Sequence, residues 1–394
     1  MPSRKDFLVF GAPAIGEAEI AEMVACLRSG WIGTGPRVAA LEAAFREYRH
    51  ASHAVAVNSG TAALHLSLLA AGLEPGDEVI TTPMTFCATV NAIIHADLKP
   101  VLADIDPVTQ NIDPNQVEAR ITSRTRAILP VHYAGRPCDM DALVDIAGRH
   151  GLKIIEDCAH ATEAQYKGRP VGTFGEFGCF SFYVTKNMTT GEGGMVLART
   201  ERGEARVKML ALHGLTRDAW NRFNDDGYKH YQVVDCGYKY NMTDMQAALG
   251  IHQLKRVEGN WNRREAIWNG YMEVLSPLPV GLPAAPQADT RHAYHLFTLL
   301  IDPVVCGLTR DEFVAGMTRC NIGVGVHYVG IPDHPYYQQR YGWRPDDYAN
   351  AAKVSRQTVS IPLAANLGER DVVDVIDAVT CTLQQCRAVR RRAE

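Results

Sequence analysis

The chain has 394 residues, 46% hydrophobic and 21% charged, enough apolar material for a sizeable core spread over two or three lobes. Lys and Arg number 40 against 44 Asp and Glu, a formal net charge of -4, so no basic balance argues for nucleic acid or an anionic membrane surface. No stretch approaches a membrane span, and the opening Met1-Pro2-Ser3-Arg4-Lys5-Asp6 lacks the apolar run of a secretory signal, which leads us to expect a cytoplasmic protein. The ten cysteines are scattered without a Cys-x-x-Cys pair, and no histidine stands at ligand spacing from a cysteine pair, so we expect reduced thiols and no metal site.

Phe10 to Gly16 carries two glycines with no following lysine, which excludes a nucleotide-hydrolase phosphate loop. Ile15, Ile20, Met23, Val24 and Leu27 recur at helical spacing, predicting an amphipathic helix packed on the main domain or on a partner subunit. The turn Trp31-Ile32-Gly33-Thr34-Gly35-Pro36 leads to a second helix, Val38 to Tyr48. From Ala54 to Leu197 short β-branched runs alternate with helical patterns: Ala54 to Val57, Glu78 to Thr82, Pro100 to Ala103, Ala127 to Val131, Lys153 to Glu156, Gly178 to Tyr183 and Gly194 to Leu197. Seven strands joined by crossovers predict a mostly parallel sheet covered on both faces.

Ligands of such sheets gather at the carboxyl ends of the strands. After the first run, Asn58-Ser59-Gly60-Thr61-Ala62 places small residues at a helix start, where free amides favour a phosphate. Phe86 follows the second run as a candidate ring-stacking residue, although a lone aromatic there is more often core. His132-Tyr133-Ala134-Gly135 follows the fourth, and a turn around Gly135 explains it equally well. The fifth run ends in Glu156-Asp157-Cys158-Ala159-His160, with Cys158 read as a small buried apolar residue. Lys186 lies between an apolar strand and the glycine-rich Thr189-Thr190-Gly191-Glu192-Gly193-Gly194, an environment in which an amine can form a Schiff base with a carbonyl. A lysine, a ring-pairing carboxylate, a phosphate cradle and a stacking side chain are what a pyridoxal phosphate site needs.

The polar stretch Leu212 to Tyr231 follows, with Arg217, Trp220, Arg222, Lys229 and His230 as candidate cations and aromatics. Gly237-Tyr238-Lys239-Tyr240-Asn241-Met242-Thr243-Asp244 precedes a helix from Met245 to Val257 with Thr243 or Asp244 as N-cap. Past the Pro-rich segment ending at Gln287 the composition shifts to a smaller α+β lobe, with a strand-like run His295 to Asp302, helices Thr309 to Cys320 and Asp371 to Leu383, and Gly325-Val326-His327-Tyr328 between them.

Together these stretches resemble the DegT/DnrJ/EryC1/StrS family of pyridoxal-phosphate-dependent sugar aminotransferases, from Ile32-Gly33-Thr34 to Ser360-Ile361-Pro362-Leu363. The resemblance implies an α/β protein of the aspartate aminotransferase fold (fold type I), with a large cofactor-binding domain over residues 1–270, including an N-terminal arm, and a small C-terminal domain over 271–394. It implies that Lys186 holds pyridoxal 5'-phosphate, Asp157 pairs with the ring nitrogen, Ser181 and the backbone of Gly60 and Thr61 bind the phosphate, Phe86 stacks on the ring and His160 meets the ring hydroxyl. Asn241 is then expected to reach the cofactor phosphate of the other subunit in a homodimer whose site lies at the interface. Gly33, Thr34, His327, Tyr328 and cations of the 217–230 stretch fall near the sugar substrate and its phosphates, and the Gly325 to Tyr328 run is expected to be a strand. The implied reaction moves an amino group from L-glutamate to a nucleotide-linked keto sugar for amino-sugar biosynthesis. Thr189-Thr190-Gly191-Glu192-Gly193-Gly194 is more similar to relatives acting at C4 of a 4-keto-6-deoxyhexose than to those acting at C3; a 3-keto sugar or a cyclitol is the alternative acceptor. A dehydrating branch has histidine where Lys186 stands. A cofactor-binding regulator without turnover is the non-enzyme alternative, and the filled catalytic positions argue against it.

Overall fold

The computed structural model describes residues 4–216 and 231–390. The seven expected strands form one sheet: β1 (His53–Val57), β2 (Glu78–Thr81), β3 (Lys99–Leu102), β4 (Thr125–Leu129), β5 (Lys153–Asp157), β6 (Phe177–Ser181) and β7 (Gly194–Ala198), in the order β1-β7-β6-β5-β4-β2-β3. Only β7 runs against its neighbours, pairing antiparallel with both β1 and β6. The expected mostly parallel sheet is therefore present.

The sheet is buried because its strands are apolar on both sides. On one face Ala54, Ala56, Ile80, Ile128 and Ile154 pack with Val38, Leu41 and Phe45 of α2 (Pro36–Tyr48). On the other Val55, Val57, Val79, Leu129 and Ile155 pack with Leu64, Leu66 and Leu68 of α3 (Gly60–Ala70). Small residues let this second layer close. A Cβ on Gly194 would lie 2.6 Å from the Ser59 carbonyl oxygen and 2.7 Å from that of Phe180, so β7 approaches both neighbours only as glycine.

A separate apolar cluster joins Ile267, Trp268, Tyr271 and Leu275 to Phe297, Leu299, Phe313, Met317, Val359, Ile361, Val375 and Val379. The first four belong to α6 (Val257–Leu275), which follows α4 (Cys87–His95) and α5 (Asp244–Lys255) in our numbering. The others come from the antiparallel pair β8 (Phe297–Leu300) and β9 (Thr358–Ile361) and from α7 (Arg310–Arg319) and α8 (Glu369–Arg390). Helix α6 thus starts in the core of the sheet with Val257 and continues into this second cluster. The N-terminal arm docks on the smaller cluster: Leu8 N–H donates to Asn321 O at 2.9 Å and Gly323 N–H to Leu8 O at 2.8 Å.

The expected strand through His327 is absent. Gly325 exchanges a single pair of backbone bonds with Ser360, at 2.9 and 2.7 Å. Beyond it side chains answer the backbone instead of a ladder: the Tyr133 hydroxyl and Thr358 Oγ1 both donate to His327 O.

Two buried charges fasten the chain between β5 and β6. Arg49, at the end of α2, donates to the carbonyls of Thr162 at 2.6 Å, Ala164 at 2.9 Å and Val171 at 2.8 Å. Glu156 accepts from the amides of Gly172 at 2.7 Å, Phe174 at 2.7 Å and Gly175 at 2.9 Å, and meets His132 Nε2 at 3.2 Å. Because His132 Nδ1 accepts the Cys138 amide at 3.1 Å, the ring is the neutral Nε2–H tautomer donating to Glu156. Glu156→Ala strands three buried amides and is expected to cost about 3–5 kcal/mol in urea unfolding. A loss below about 1 kcal/mol would show that water replaces the carboxylate.

Candidate active site

Alternation along β5 sends Glu156 into one face and Asp157 toward the opposite one, at the carboxyl edge of the sheet. Asp157 is buried; its Oδ1 accepts the Ala159 amide at 3.1 Å and its Oδ2 accepts Thr89 Oγ1 at 2.8 Å. Thr89 lies in the first turn of α4 and bonds Thr85 Oγ1 at 2.7 Å. Burial pushes the Asp157 carboxyl up, against the pull of the Ala159 amide, Thr89 and the charge of Lys186.

Lys186 follows the end of β6 in a tight turn, its amide donating to Tyr183 O at 2.9 Å. The residue is half-buried, and its amine lies deep enough that desolvation lowers its pKa to about 8, with Asp157 opposing that shift. The two groups act on each other electrostatically, and among the described residues Lys186 makes no ion pair.

Beside them, Ser59 caps α3 by accepting the Ala62 amide at 3.0 Å, leaving the first-turn amides of Gly60 and Thr61 for an external acceptor. Ser181, at the end of β6, closes on this turn: a Cβ on Gly60 would sit 2.8 Å from Ser181 Cβ. Phe86 is 57% exposed at the start of α4, which removes the core reading, and its ring lies 5.9 Å from that of Tyr328.

His160 and Tyr328, expected to serve separate duties, bond each other. His160 Nδ1 accepts the Ala134 amide at 3.2 Å, so the proton rests on Nε2 and is donated to Tyr328 Oη at 2.8 Å. Burial and the charge of Lys186 hold His160 neutral, and burial keeps Tyr328 protonated with its own O–H free to donate. His327 Nδ1 meets Ser360 Oγ at 2.9 Å and its ring stacks on Phe10 at 5.3 Å.

Gly33, Thr34 and Asn241 form a different patch. Asp244 N–H donates to Gly33 O at 2.8 Å, and Asn241 Nδ2 donates to Thr34 Oγ1 at 2.6 Å, while Asn241 Oδ1 is buried with no partner among the described residues. Glu192 is exposed, and its carbonyl takes Thr190 Oγ1 at 2.7 Å and Gln246 Nε2 at 2.8 Å, a backbone role. Arg217, Trp220, Arg222, Lys229 and His230 lie outside the described residues.

Several groups escaped the sequence reading: Thr85, Thr89, Glu163, Asn187 and His295. Asn187, next to Lys186, donates to both Glu163 oxygens at 3.1 and 2.9 Å and faces His295 Nδ1 at 2.9 Å. The His295 ring lies 4.4 Å from that of His160. Only the adjacency of Asn187 to Lys186 was a signal for any of them.

The fold aligns with solved enzymes of this kind. The PLP-form of Spr1654 from Streptococcus pneumoniae superposes with a TM-score of 0.89 at 31% identity, over 96% of this chain and 99% of that one; Spr1654 has also been solved in a PMP-form. Helicobacter pylori PseC, an aminotransferase involved in the biosynthesis of pseudoaminic acid, superposes with a TM-score of 0.89 at 26% identity, over 97% of this chain and 100% of that one. Fold and likeness define a pyridoxal-phosphate-dependent aminotransferase of fold type I. In sequence, the spore coat polysaccharide biosynthesis protein SpsC of Bacillus subtilis is 46% identical over 377 residues, 95% of this chain and 97% of that protein. The DegT/DnrJ/EryC1/StrS aminotransferase family model matches residues 13–380, and the chain belongs to that family.

The lowered amine sets a pH dependence. Lys186 is nucleophilic when neutral, so capture of pyridoxal phosphate by the cofactor-free protein is expected to accelerate with pH up to about 8 and then level off. A rate still climbing at pH 10, as for an ordinary lysine, would contradict this environment.

Proposed function

We propose that Lys186 and Asp157 are the catalytic residues of a transamination from L-glutamate to a nucleotide-linked keto sugar. The observation that carries the reading is the buried Asp157 carboxyl within electrostatic reach of the depressed Lys186 amine, together with the Gly60–Ser181 cradle. These residues fit pyridoxal phosphate. Lys186 would hold it covalently, Asp157 would pair with its ring nitrogen, and Ser181 with the amides of Gly60 and Thr61 would take the phosphate. Phe86 would cover the ring, and Tyr328, whose O–H is left free because His160 donates to its oxygen, would meet the ring hydroxyl. When bound, the cofactor supplies an electron sink for the carbon that loses or gains the proton.

The protein's share is positional and protonic. Burial raises the Asp157 carboxyl, a cationic ring would favour its charged form, and Thr89 and the Ala159 amide hold its two oxygens in place. Lys186, when not holding the cofactor, would take and return the proton of the substrate carbon, a role that an amine with a pKa of about 8 suits near neutrality. Burial of His160, His295 and Tyr328 keeps these groups uncharged around that transfer.

A bulky acceptor is supported by a cavity of about 610 Å³ lined by Phe86, Tyr328, His334, Tyr336 and Tyr337, an aromatic setting suited to a nucleotide's base. The names of SpsC and PseC favour a sugar destined for a surface polysaccharide or related glycan. We take the acceptor to be a 4-keto-6-deoxyhexose and the compartment to be the cytoplasm; among the described residues no helix is long and apolar enough to cross a membrane.

The working unit in this reading is a homodimer with its sites at the interface. Helix α1 (Glu17–Ser29) leaves Ile20, Val24 and Leu27 exposed, and Trp31 and Ile32 continue that apolar face to the Gly33–Thr34–Asn241 patch. A partner subunit would cover it and supply a donor for Asn241 Oδ1. Lys186→Ala is expected to lower turnover by roughly 10⁴-fold or more. In the intact enzyme, L-glutamate should bleach the cofactor's visible band and a nucleotide-linked 4-keto sugar should restore it. Restoration by 3-keto sugars alone would move the reaction to C3, and no bleaching by glutamate would remove that donor.

A further inference from the structure

A second, smaller cavity of about 40 Å³ opens beside Lys186 under the N-terminal arm, lined also by Asn187, Asn260, Arg264, His295 and Asn366. At about 10–15 Å³ for each water-sized group it holds about three of them, the size of a carboxylate and far too small for a sugar ring. Its one cation besides Lys186 is Arg264 of α6, only 6% exposed. The guanidinium donates from Nη1 to Leu363 O at 2.7 Å, and its Nε is buried with no partner among the described residues. Glu163 is the acid that reaches it electrostatically, but both Glu163 oxygens are occupied by Asn187 at 3.1 and 2.9 Å. Burial lowers Arg264 only to about 10, so it stays charged at neutral pH. A buried guanidinium with donors to spare is a costly feature unless a planar anion answers it.

Its placement says which anion. Lys186 and Arg264 line the same small cavity, and Asn187 and His295, which meet at 2.9 Å, share its wall. A donor whose nitrogen would take the place of the Lys186 amine on the cofactor, and whose far end carries a negative charge, would reach from the one group to the other. We propose that this cavity is the subsite for the side-chain carboxylate of a dicarboxylic amino donor, with Arg264 as its binding residue. The inference rests on the aminotransferase reading and adds to it the origin of donor selection: a monocarboxylic donor leaves the buried guanidinium unanswered. The acceptor is too large for this cavity and would use the other, whose lining includes Phe86 and Tyr328 and not Arg264, so the two half-reactions would use different contacts.

The test follows bleaching of the cofactor band in the loaded enzyme with L-glutamate and with L-2-aminobutyrate, which lacks the distal carboxylate. R264Q should slow the glutamate reaction about 10- to 150-fold at limiting donor and leave 2-aminobutyrate almost unchanged, the range expected for one charge-assisted pair. R264K should fall between. Glutarate, which cannot react, should raise the melting temperature of the wild type and not that of R264Q. Because Arg264 also holds Leu363 O, N260D serves as a second variant: it keeps the guanidinium, adds a negative charge to the cavity lining, and should weaken glutamate selectively. R264Q or N260D with an unchanged glutamate preference overturns the subsite. A wild type that accepts both donors equally also removes it while leaving the aminotransferase standing, and a wild type that reacts with no amino donor removes both.

Discussion

Burying a carboxylate obliges the fold to find donors for it, and this protein buries two adjacent ones at the end of β5. Strand alternation sends Glu156 and Asp157 to opposite sides, and the rest of the site follows from how each is answered. Glu156 is saturated by three amides and His132, which makes it structural and pins the chain that leads into β6. Asp157 is left with one amide and one hydroxyl, so its second answer must be a positive group on the site side. Lys186, a few residues past the end of the neighbouring β6, supplies a charge that acts on it.

The same economy shapes the surroundings. His160, His295, His327 and Tyr328 crowd around the lysine, and burial keeps the histidines neutral and the tyrosine protonated. Around Lys186 the site therefore offers polar groups that hold or pass protons without adding charge. Glu163, pushed up to about 7 by burial, is joined through Asn187 to His295, and Arg264 lines the small cavity with Asn187 and His295. Such an arrangement leaves the net charge of the centre to Asp157, Lys186 and whatever they bind.

Much of this was legible in the residues. Seven apolar runs with crossovers gave the sheet, and small residues after β1, a carboxylate ending β5 and a lysine before a glycine-rich turn gave the site, because each reports a local backbone requirement. What escaped depended on contacts between distant segments. Thr89 and Asn187 are ordinary polar residues until folding sets one on Asp157 and the other on Glu163. Phe86 could not be told from a core aromatic, since exposure is a property of the assembled surface. Helix α1 was readable as amphipathic, yet its apolar Ile20, Val24 and Leu27 face outward while Glu19 and Cys26 are buried, because periodicity reports a face and not what covers it. The segment at His327 read as a strand, and hydroxyls of Tyr133 and Thr358 captured the carbonyl that a ladder would have used.

The central claim is that the amine answering Asp157 is the one that holds the cofactor. Reduction of the loaded protein with borohydride, followed by proteolysis and mass spectrometry, tests it directly. The account predicts a pyridoxyl group on the peptide containing Lys186 and loss of that label in Asp157→Asn, where the ring loses its ionic anchor. A label on another lysine, or an undiminished label at Lys186 without Asp157, would contradict it.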